Sequence, residues 1–332
     1  ISGRSMNLES NRRIFLSTTF GDIEIVRKNN DGTSATPQMS LAGDSMESSL
    51  AEMEATIAEG SAVYIESDHA NIRVVGIDED VVRVRGTRML RVETGRDPRP
   101  VAESLTVRLE PTQGGLRLIA AAKEPVQDRG CTFYRFDLQV ECPRTSPLIL
   151  KQGSGVATVQ GLGEDISIEQ TEGRITLEAC KGTITVKLAR GEAQILESAG
   201  PLTIVVDAGN VSTRKVYGAQ TITCGQGKTI VESPGNGLTV RQRGGDVRIL
   251  PLDGILGDMD IKAEGGGISI LIPESADATL QATARNGLVR TAFPLTGEIG
   301  RDYQRLQGRP RPETDGKFRV LLETIGGDIV ID

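Results

Sequence analysis

The chain has 332 residues, with 39 glycines, 3% aromatic residues, no tryptophan and a formal net charge of −7. A nucleic-acid-binding protein would show a basic face or aromatic platforms, and a membrane-spanning helix would need about 18 consecutive apolar residues. The sequence has neither feature, so we expect no nucleic-acid partner and no transmembrane segment. A glycine-rich, aliphatic composition favours short strands around a narrow core.

Residues 1–142 are expected to form an N-terminal β region with one helix. Alternating apolar residues predict a strand, a corner at Gly21 and a second strand in residues 12–27. A helix is predicted near residues 46–59, because four apolar residues recur there at 4-3-4 spacing: Met46, Leu50, Met53 and Ile57. Alternation resumes between residues 60 and 142 and predicts a less regular sheet, continuous with residues 143–332.

Beyond Pro143 a repeat with a period of nine residues dominates the sequence. Glycines are separated by nine residues or a multiple of nine at Gly155, Gly173, Gly182, Gly191, Gly200, Gly209, Gly218, Gly227, Gly245 and Gly254. Apolar residues usually stand two and four positions after each glycine, as in Gly182-Thr-Ile184-Thr-Val186. Short strands with one buried face, joined at glycine corners, give this pattern.

Fixed periodicity over many units is typical of a solenoid. Nine residues at roughly 3.3 Å each would enclose a perimeter of only about 30 Å, so two units, about 18 residues, are expected per coil. Ile166, Ile184, Leu202 and Leu238 should then stack in one interior column. A β-sandwich with regular turns is the alternative, but it has no reason to keep one phase through so many units.

Residues 143–332 are predicted to be all β-solenoid, with one interruption. The frame slips after Gly257 and returns at Gly266. Residues 295–317 are rich in glycine, proline and arginine and predict a polar loop outside the core. Residues 318–332 predict a final pair of strands.

Residues 15–25 and 321–331 resemble each other, since both end in Gly-Asp-Ile-x-Ile after a threonine. Any rung of this type would look similar. Alternatively, one end of a solenoid accepts the other end of a neighbouring copy, because open ends expose unpaired backbone groups. That alternative predicts a self-assembling filament.

From Val140 to Ile204 and from Gly266 to Ile331 the chain resembles a bacterial domain family of unknown function named putative adhesins. The matching features are a strand ending in Cys142-Pro143, the Gly-x-Ile-x-Leu rungs, Gly266-Gly-Ile-Ser-Ile and the final Gly-Gly-Asp-Ile-Val-Ile331. The resemblance implies a right-handed, β-helix-like fold on the bacterial envelope or surface. It brings no catalytic residues.

The sequence predicts no catalytic, cofactor or metal site. His69 is the only histidine, and Cys131, Cys142, Cys180 and Cys224 lack metal-type spacing. Buried free thiols are expected, although the sequence does not fix their redox state. Carboxylates near corners leave a polysaccharide-active enzyme open as an alternative, with the candidates Asp165, Glu178, Asp207 and Asp246.

One outward column is the candidate contact surface. With 18 residues per coil, five hydroxyl side chains line up on one face: Ser167, Thr185, Thr203, Thr221 and Thr239. A flat threonine column can bind ice or another regular lattice. Ordinary strand preference for threonine also produces such a column.

The predicted function is therefore a non-enzymatic, structural or adhesion-type scaffold of the bacterial envelope or surface. The expected partner is a protein or a surface glycan, or the chain itself through end-to-end contacts. A polysaccharide-binding or polysaccharide-active β-helix protein is the other alternative. Because the chain starts at Ile1, either a leader was removed or the first residues are foreign, so the compartment stays open between envelope, exterior and cytoplasm.

Overall fold

The computed structural model of the chain describes residues 27–28, 34–35 and 44–332. This part is all-β, as predicted: one large, mostly parallel sheet of 23 strands, and a separate antiparallel pair of β1 (Arg27–Lys28) and β2 (Ser34–Ala35). The predicted strands within residues 12–26 lie outside the described residues. No helix in the described part is long and apolar enough to cross a bilayer.

Four long parallel strands form the regular part of the stack: β10 (Leu148–Gln160), β11 (Ile166–Glu178), β12 (Ile184–Leu196) and β13 (Leu202–Val216). Ile166 pairs with Ile184, and Ile184 with Leu202, so the register advances by 18 residues per strand. We call each such turn of chain a rung. A rung contains two nine-residue units, with a bend at the glycine between them.

The next rungs are each split into two shorter strands. They are β14 (Gln220–Gln226) with β15 (Thr229–Pro234), β16 (Leu238–Gly244) with β17 (Val247–Leu250), and β18 (Met259–Glu264) with β19 (Ile268–Ile270). Their first halves stack on one another, and so do their second halves. The sheet therefore keeps two faces along its length.

The expected interior column is present. Ile166, Ile184, Leu202 and Leu238 follow one another in register, with Gln220 between the two leucines. All five side chains are at most 2% exposed. Each buried aliphatic side chain contributes roughly 1.5–3 kcal/mol through the hydrophobic effect, so continuous columns of this kind supply most of the cohesion between rungs.

Glycines hold the corners because neighbouring rungs approach too closely for a side chain. Gly155, Gly173, Gly191, Gly209, Gly227 and Gly245 form one column. A Cβ atom on Gly191 would lie 1.8 Å from the carbonyl oxygen of Gly173, and the φ of Gly191 is +137°. Both facts require glycine, which explains the repeat seen in the sequence.

The N-terminal region extends the parallel stack and ends it with antiparallel strands. Its strands are β3 (Asp44–Ser49), β4 (Met53–Thr56), β5 (Ala62–Ile77), β6 (Val81–Val92), β7 (Leu105–Thr112), β8 (Gly115–Ala122) and β9 (Cys131–Pro143). β5 pairs in parallel with β10, and β8 and β9 pair in parallel with β5. Antiparallel β7, β6, β3 and β4 then cover the two faces.

The helix predicted near residues 46–59 is wrong. β3 and β4 occupy this segment and pair with β6 in registers that differ by one residue. In β3 the inward-facing residues have even numbers, and in β4 they have odd numbers, because Leu50–Glu52 shifts the register by one residue. Two strands with such a break therefore reproduce the 4-3-4 spacing of apolar residues that predicted a helix. The described α-helix is instead α1 (Arg99–Ser104), accompanied by a 3₁₀ turn at Gln127–Arg129.

The C-terminal region is folded out of chain order. Its strands are β20 (Ala278–Arg285), β21 (Val289–Thr291), β22 (Thr296–Ile299), β23 (Tyr303–Gly308), β24 (Phe318–Ile325) and β25 (Ile329–Ile331). β24 and β25 lie between the rung β18–β19 and the rung β20–β21. We call β24–β25 the inserted rung.

The polar loop predicted at residues 295–317 is partly wrong. β22 and β23 form an antiparallel hairpin that pairs with β20 and covers that face of the stack. Every residue of β22 is exposed, so no alternation of apolar residues marks the strand in the sequence. Main-chain pairing of β22 with β23, and of β23 with β20, decides the conformation, and the local sequence does not reveal it.

Candidate functional site

The five residues of the predicted outward column lie side by side. Ser167, Thr185, Thr203, Thr221 and Thr239 pair in that order on successive rungs, about 4.8 Å apart. Three of them are exposed and two are half-buried. Ile149 precedes the column and Asp260 follows it, so the hydroxyl surface is only five rungs long. Its use as a contact surface stays a prediction.

A groove with a volume of about 810 Å³ runs beside the glycine corner. One side is the start of the glycine column, with Gly155, Gly173 and Gly191, where the missing side chains leave main-chain atoms accessible. The other side runs from Val126 into the first residues of β9, as far as Arg135. Its size lies within the range of small-molecule and cofactor sites, roughly 300–1,000 Å³.

Aromatic side chains gather at the β9 side of the groove. Phe133 is 43% exposed there. Tyr134 contacts the ring of His69 edge-on, with centroids 4.9 Å apart, and lies 6.2 Å from the buried Phe136. Burial raises the pKa of Tyr134 to about 12, helped by the nearby Asp68 carboxylate. The phenol is therefore a neutral hydrogen-bonding group.

Polar side chains surround these rings. His69 Nδ1 lies 2.7 Å from Ser154 Oγ. Asn71 donates a hydrogen bond of 2.7 Å to Asp137 Oδ1. Further along the groove, Arg174 forms an ion pair of 2.9 Å with Glu192, and both groups stay nearly half exposed. The groove therefore combines an exposed aromatic face with donors and acceptors that solvent still reaches.

The structure gives the four carboxylates named from the sequence separate positions. Asp165 accepts the backbone N–H of Thr183, and Asp246 accepts that of Gly267. Glu178 accepts from Gln160 on the neighbouring rung. Three of the four therefore connect adjacent rungs, and no contact between any two of them is recorded among the described residues.

All four cysteines are free and buried. Burial is the main cause that raises the pKa of each thiol, most strongly at Cys142, where it reaches about 12. Each side chain is therefore a neutral thiol at physiological pH and a poor nucleophile. Within residues 44–332 no three His, Cys, Asp or Glu side chains are grouped to hold a metal ion.

The groove is not apparent from the sequence. The aromatic pair Phe133-Tyr134 and His69 lie far apart in the sequence, and β9 reaches β5 only because the chain passes through β6, β7 and β8 first. His69 lies within β5. The only available signal was local: two adjacent aromatic residues in a chain with few of them.

No family model and no curated protein matches the chain. Similar solved structures include a putative cell adhesion protein from Clostridium sporogenes, which is 10% identical, with a TM-score of 0.18 and coverage of 85% of this chain and 98% of that chain. A putative adhesin from Parabacteroides distasonis is 9% identical, with a TM-score of 0.25 and coverage of 88% and 99%. A putative lipid binding protein from the same organism is 9% identical, with a TM-score of 0.30 and coverage of 88% and 98%.

These neighbours agree with the resemblance to putative adhesins drawn from the sequence. At such identities and TM-scores the likeness carries no argument about what the chain binds. Function is therefore inferred from the groove and from the stack that supports it.

Proposed function

We propose that the chain is a non-enzymatic, adhesion-type scaffold of the bacterial envelope or surface that holds a surface glycan in the groove beside Phe133. In this proposal the stack is a right-handed parallel β-solenoid with about 18 residues per coil. Each rung contacts its neighbours through continuous aliphatic columns, which makes the body stiff. A stiff body presents a binding site at a fixed distance and orientation from whatever anchors it.

The observation that carries the proposal is the exposed ring of Phe133 in a groove lined by polar groups. The apolar faces of sugar rings pack against aromatic rings, and sugar hydroxyls need donors and acceptors nearby. The exposed pair Arg174–Glu192 and the amide of Asn210 provide such groups. A neutral glycan fits this mixture better than a strongly charged ligand, because the charged side chains here are already paired.

The chemistry of the groove supports binding rather than catalysis. His69 is held by Ser154 and contacts Tyr134 edge-on, and among the described residues no carboxylate hydrogen-bonds to it. Cys131 lines the groove as a neutral thiol, since burial raises its pKa. The Glu192 carboxylate is paired with Arg174. A polysaccharide-active enzyme would need two suitably spaced free carboxylates.

The covered ends of the stack favour a monomeric binder over an end-to-end filament. Antiparallel strands close both faces at the N-terminal end, and the β22–β23 hairpin closes one face at the other end. Within the described residues, the edge strands are β3, β4 and β7 at the N-terminal end and β21 and β22 at the other end, and none is longer than eight residues. None of these edges presents a complete rung on which a second copy could stack.

Binding to immobilised oligosaccharides tests the proposal, followed by titration of the best linear hexose oligomer. Phe133→Ala should weaken binding at least about tenfold, because it removes an aromatic contact and its buried area. Phe133→Tyr keeps the ring and should bind nearly as the wild type does. A Thr185→Val/Thr203→Val/Thr221→Val variant tests the outward column and should leave glycan binding unchanged.

Two results would contradict the groove as the site. One is full binding by the Phe133→Ala variant. The other is loss of binding in the threonine variant, which would transfer the site to the outward column. If the chain binds a protein instead of any glycan, and Phe133→Ala still weakens that binding, the groove is the binding site and its ligand is a protein.

A further inference from the structure

The groove beside Phe133 is long in one direction and narrow in the other. Its lining comes from six strands that neighbour one another in the sheet in the order β9, β5, β10, β11, β12 and β13, together with residues just before β9. Five strand spacings of about 4.8 Å give the groove a length of about 24 Å. On each of β10, β11 and β12 only two or three consecutive residues line it, which is at most about 10 Å along a strand. The long axis of the groove therefore runs across the strands, along the stack.

The lining changes along this axis from aromatic to polar. At the end on β9 and β5 the lining includes Phe133, Tyr134 and His69. In the middle, the corner glycines of β10, β11 and β12 add no side chain to the floor. At the end on β13 stands Asn210, which is exposed. A single sugar ring beside Phe133 cannot reach Asn210, whereas an extended chain of sugars along the axis contacts both.

A single column of residues follows the axis. Each member directly follows the bend of its strand and pairs in register with the next: Asn71, Val156, Arg174, Glu192 and Asn210. All five residues line the groove. A chain of sugars that lies along the axis therefore meets the members of this column one after another.

The charged side chains of the lining are compensated. Arg174, in the middle of the groove, forms its ion pair with Glu192, the next member of the column. Arg135, at the aromatic end, lies 3.0 Å from the carboxylate of Asp137. Each arginine of the lining thus has a carboxylate partner, so the groove favours sugar hydroxyl groups over a chain of acidic sugars.

Asn210 is the member of the column that keeps a free hydrogen-bond donor. Its Oδ1 accepts the backbone N–H of Lys228 at 3.0 Å, which fixes the side-chain amide. In the described part of the chain, its Nδ2 donates to no other protein group. Asn71 differs, because its Nδ2 donates to Asp137 at 2.7 Å and its Oδ1 accepts the N–H of Val156. The far end of the groove therefore presents a donor of fixed position to a sugar hydroxyl.

We propose that the groove takes an extended, neutral, linear polysaccharide that lies along the stack, with one sugar packed on Phe133 and a later sugar accepting a hydrogen bond from Asn210 Nδ2. This inference rests on the proposed function and extends it by naming the shape of the ligand and a second contact residue. Each additional sugar adds contact until the chain reaches Asn210. The rigid stack holds the two contacts at a fixed separation, so little conformational freedom is lost on binding.

Titration calorimetry of the full chain with oligosaccharides of increasing length tests the orientation. The probes are β-1,4-linked oligomers of glucose and of mannose, from two to six units, because this linkage gives an extended, neutral chain. The affinity of the series that binds should rise at least about tenfold from the disaccharide to the hexasaccharide, since only the longer oligomer reaches Asn210.

An asparagine variant isolates the far contact. Asn210→Asp removes the Nδ2 donor but keeps an oxygen for the N–H of Lys228. A carboxylate is tolerated at this position, since Asp246 accepts the N–H of Gly267 from the same column two rungs further on. Asn210→Asp should weaken binding of the hexasaccharide about three- to tenfold and leave the disaccharide unchanged, whereas Phe133→Ala should weaken both. Asp246→Asn is the matched control outside the groove and should change neither affinity.

The outcomes separate this inference from the function on which it rests. Equal affinity for all lengths, or a hexasaccharide indifferent to Asn210→Asp, overturns the orientation along the stack, and sensitivity to Phe133→Ala then still supports a glycan site beside that ring. If neither series binds, the inference is overturned, while another glycan that depends on Phe133 would uphold the proposed function. Oligomers that bind but are indifferent to Phe133→Ala overturn both.

Discussion

Between Leu148 and Ile270 each rung stacks on the rung that precedes it in the sequence, whereas at both ends of the stack the order is broken. β5 lies between β10 and the pair β8 and β9, although β8 and β9 come later in the chain. The inserted rung lies between β18–β19 and β20–β21. The same ladder geometry is therefore reached through contacts about 18 residues apart in the middle and through much longer separations at the ends.

This difference shows that the middle of the chain extends the stack, whereas the two end regions terminate it. The middle extends the stack by local addition, which costs little loop-closure entropy per rung. The ends use long connections to place antiparallel strands there, so that the sheet ends in edge strands of at most eight residues and not in a complete rung. If this division holds, the middle depends on close packing at the corners, and the ends depend on their inserted strands.

The largest effect is expected at a corner of the regular rungs. Gly191→Ala places a Cβ atom 1.8 Å from Gly173 O in a backbone conformation with φ of +137°. Because the neighbouring rung must move, we expect a loss of more than about 4 kcal/mol in the free energy of unfolding, measured by chemical denaturation. Gly254→Ala is the control: its φ is +101°, but nothing lies within 4 Å of the added atom. Equal losses in the two variants would show that strain and not rung contact sets the cost.

A smaller effect is expected from removing an interior leucine. The part of the stack that loses hydrogen-exchange protection should differ between the two regions. Leu202→Ala and Leu322→Ala each create a cavity at a side chain that is 2% exposed or less, at a cost of roughly 2–5 kcal/mol. Hydrogen exchange should show lost protection on both sides of β13 for Leu202→Ala. For Leu322→Ala the loss should be confined to residues 259–331. Loss of protection along the entire stack in the second variant would mean that the end is not a separate unit.

The sequence predicted the middle far better than the ends, for a physical reason. Glycine at a fixed phase and aliphatic residues two and four positions later are local consequences of stacking, so Ile166, Ile184, Leu202 and Leu238 could be placed in one column from the sequence. The β22–β23 hairpin and the Leu50–Glu52 break depend on partners distant in sequence. The groove was missed for the same reason, since His69 and Tyr134 come into contact only through the pairing of β5 with β9.

Two buried glutamines allow a finer comparison within the stack. Gln170 and Gln242 occupy one interior column, and each Nε2 donates to two main-chain carbonyl groups at the corner. Gln242 Oε1 also accepts a hydrogen bond of 2.7 Å from Thr229 Oγ1. Gln170 Oε1 has no partner, and Ala157 occupies the position that corresponds to Thr229.

This contrast predicts a matched set of effects. Thr229→Val keeps the shape but removes the donor, so it should cost about 1–3 kcal/mol of stability by leaving Gln242 Oε1 unsatisfied. Ala157→Thr should be more stable than the isosteric Ala157→Val by about 1 kcal/mol, because only the threonine can donate to Gln170 Oε1. Thermal and chemical unfolding of these three variants and the wild type measures both differences. Equal stability of the Ala157 pair would indicate that water already satisfies Gln170.

The smallest effect concerns Tyr134 at the N-terminal end and should appear only in alkaline solution. Burial raises its pKa to about 12 in the folded chain, above the value of about 10 expected when unfolded. The unfolded chain therefore releases this proton first, so the contribution to stability is complete below pH 10 and is lost as the pH rises from about 10 to 12. Because the phenol is partly exposed, the loss should amount to only about 1 kcal/mol.

Urea unfolding at increasing pH measures this loss. The stability of Tyr134→Phe should not show this decline, whereas the stability of Tyr217→Phe, changed at a tyrosine that is 56% exposed, should decline as that of the wild type does. Parallel curves for wild type and Tyr134→Phe up to pH 12 would show that the ring pair with His69 is open to solvent.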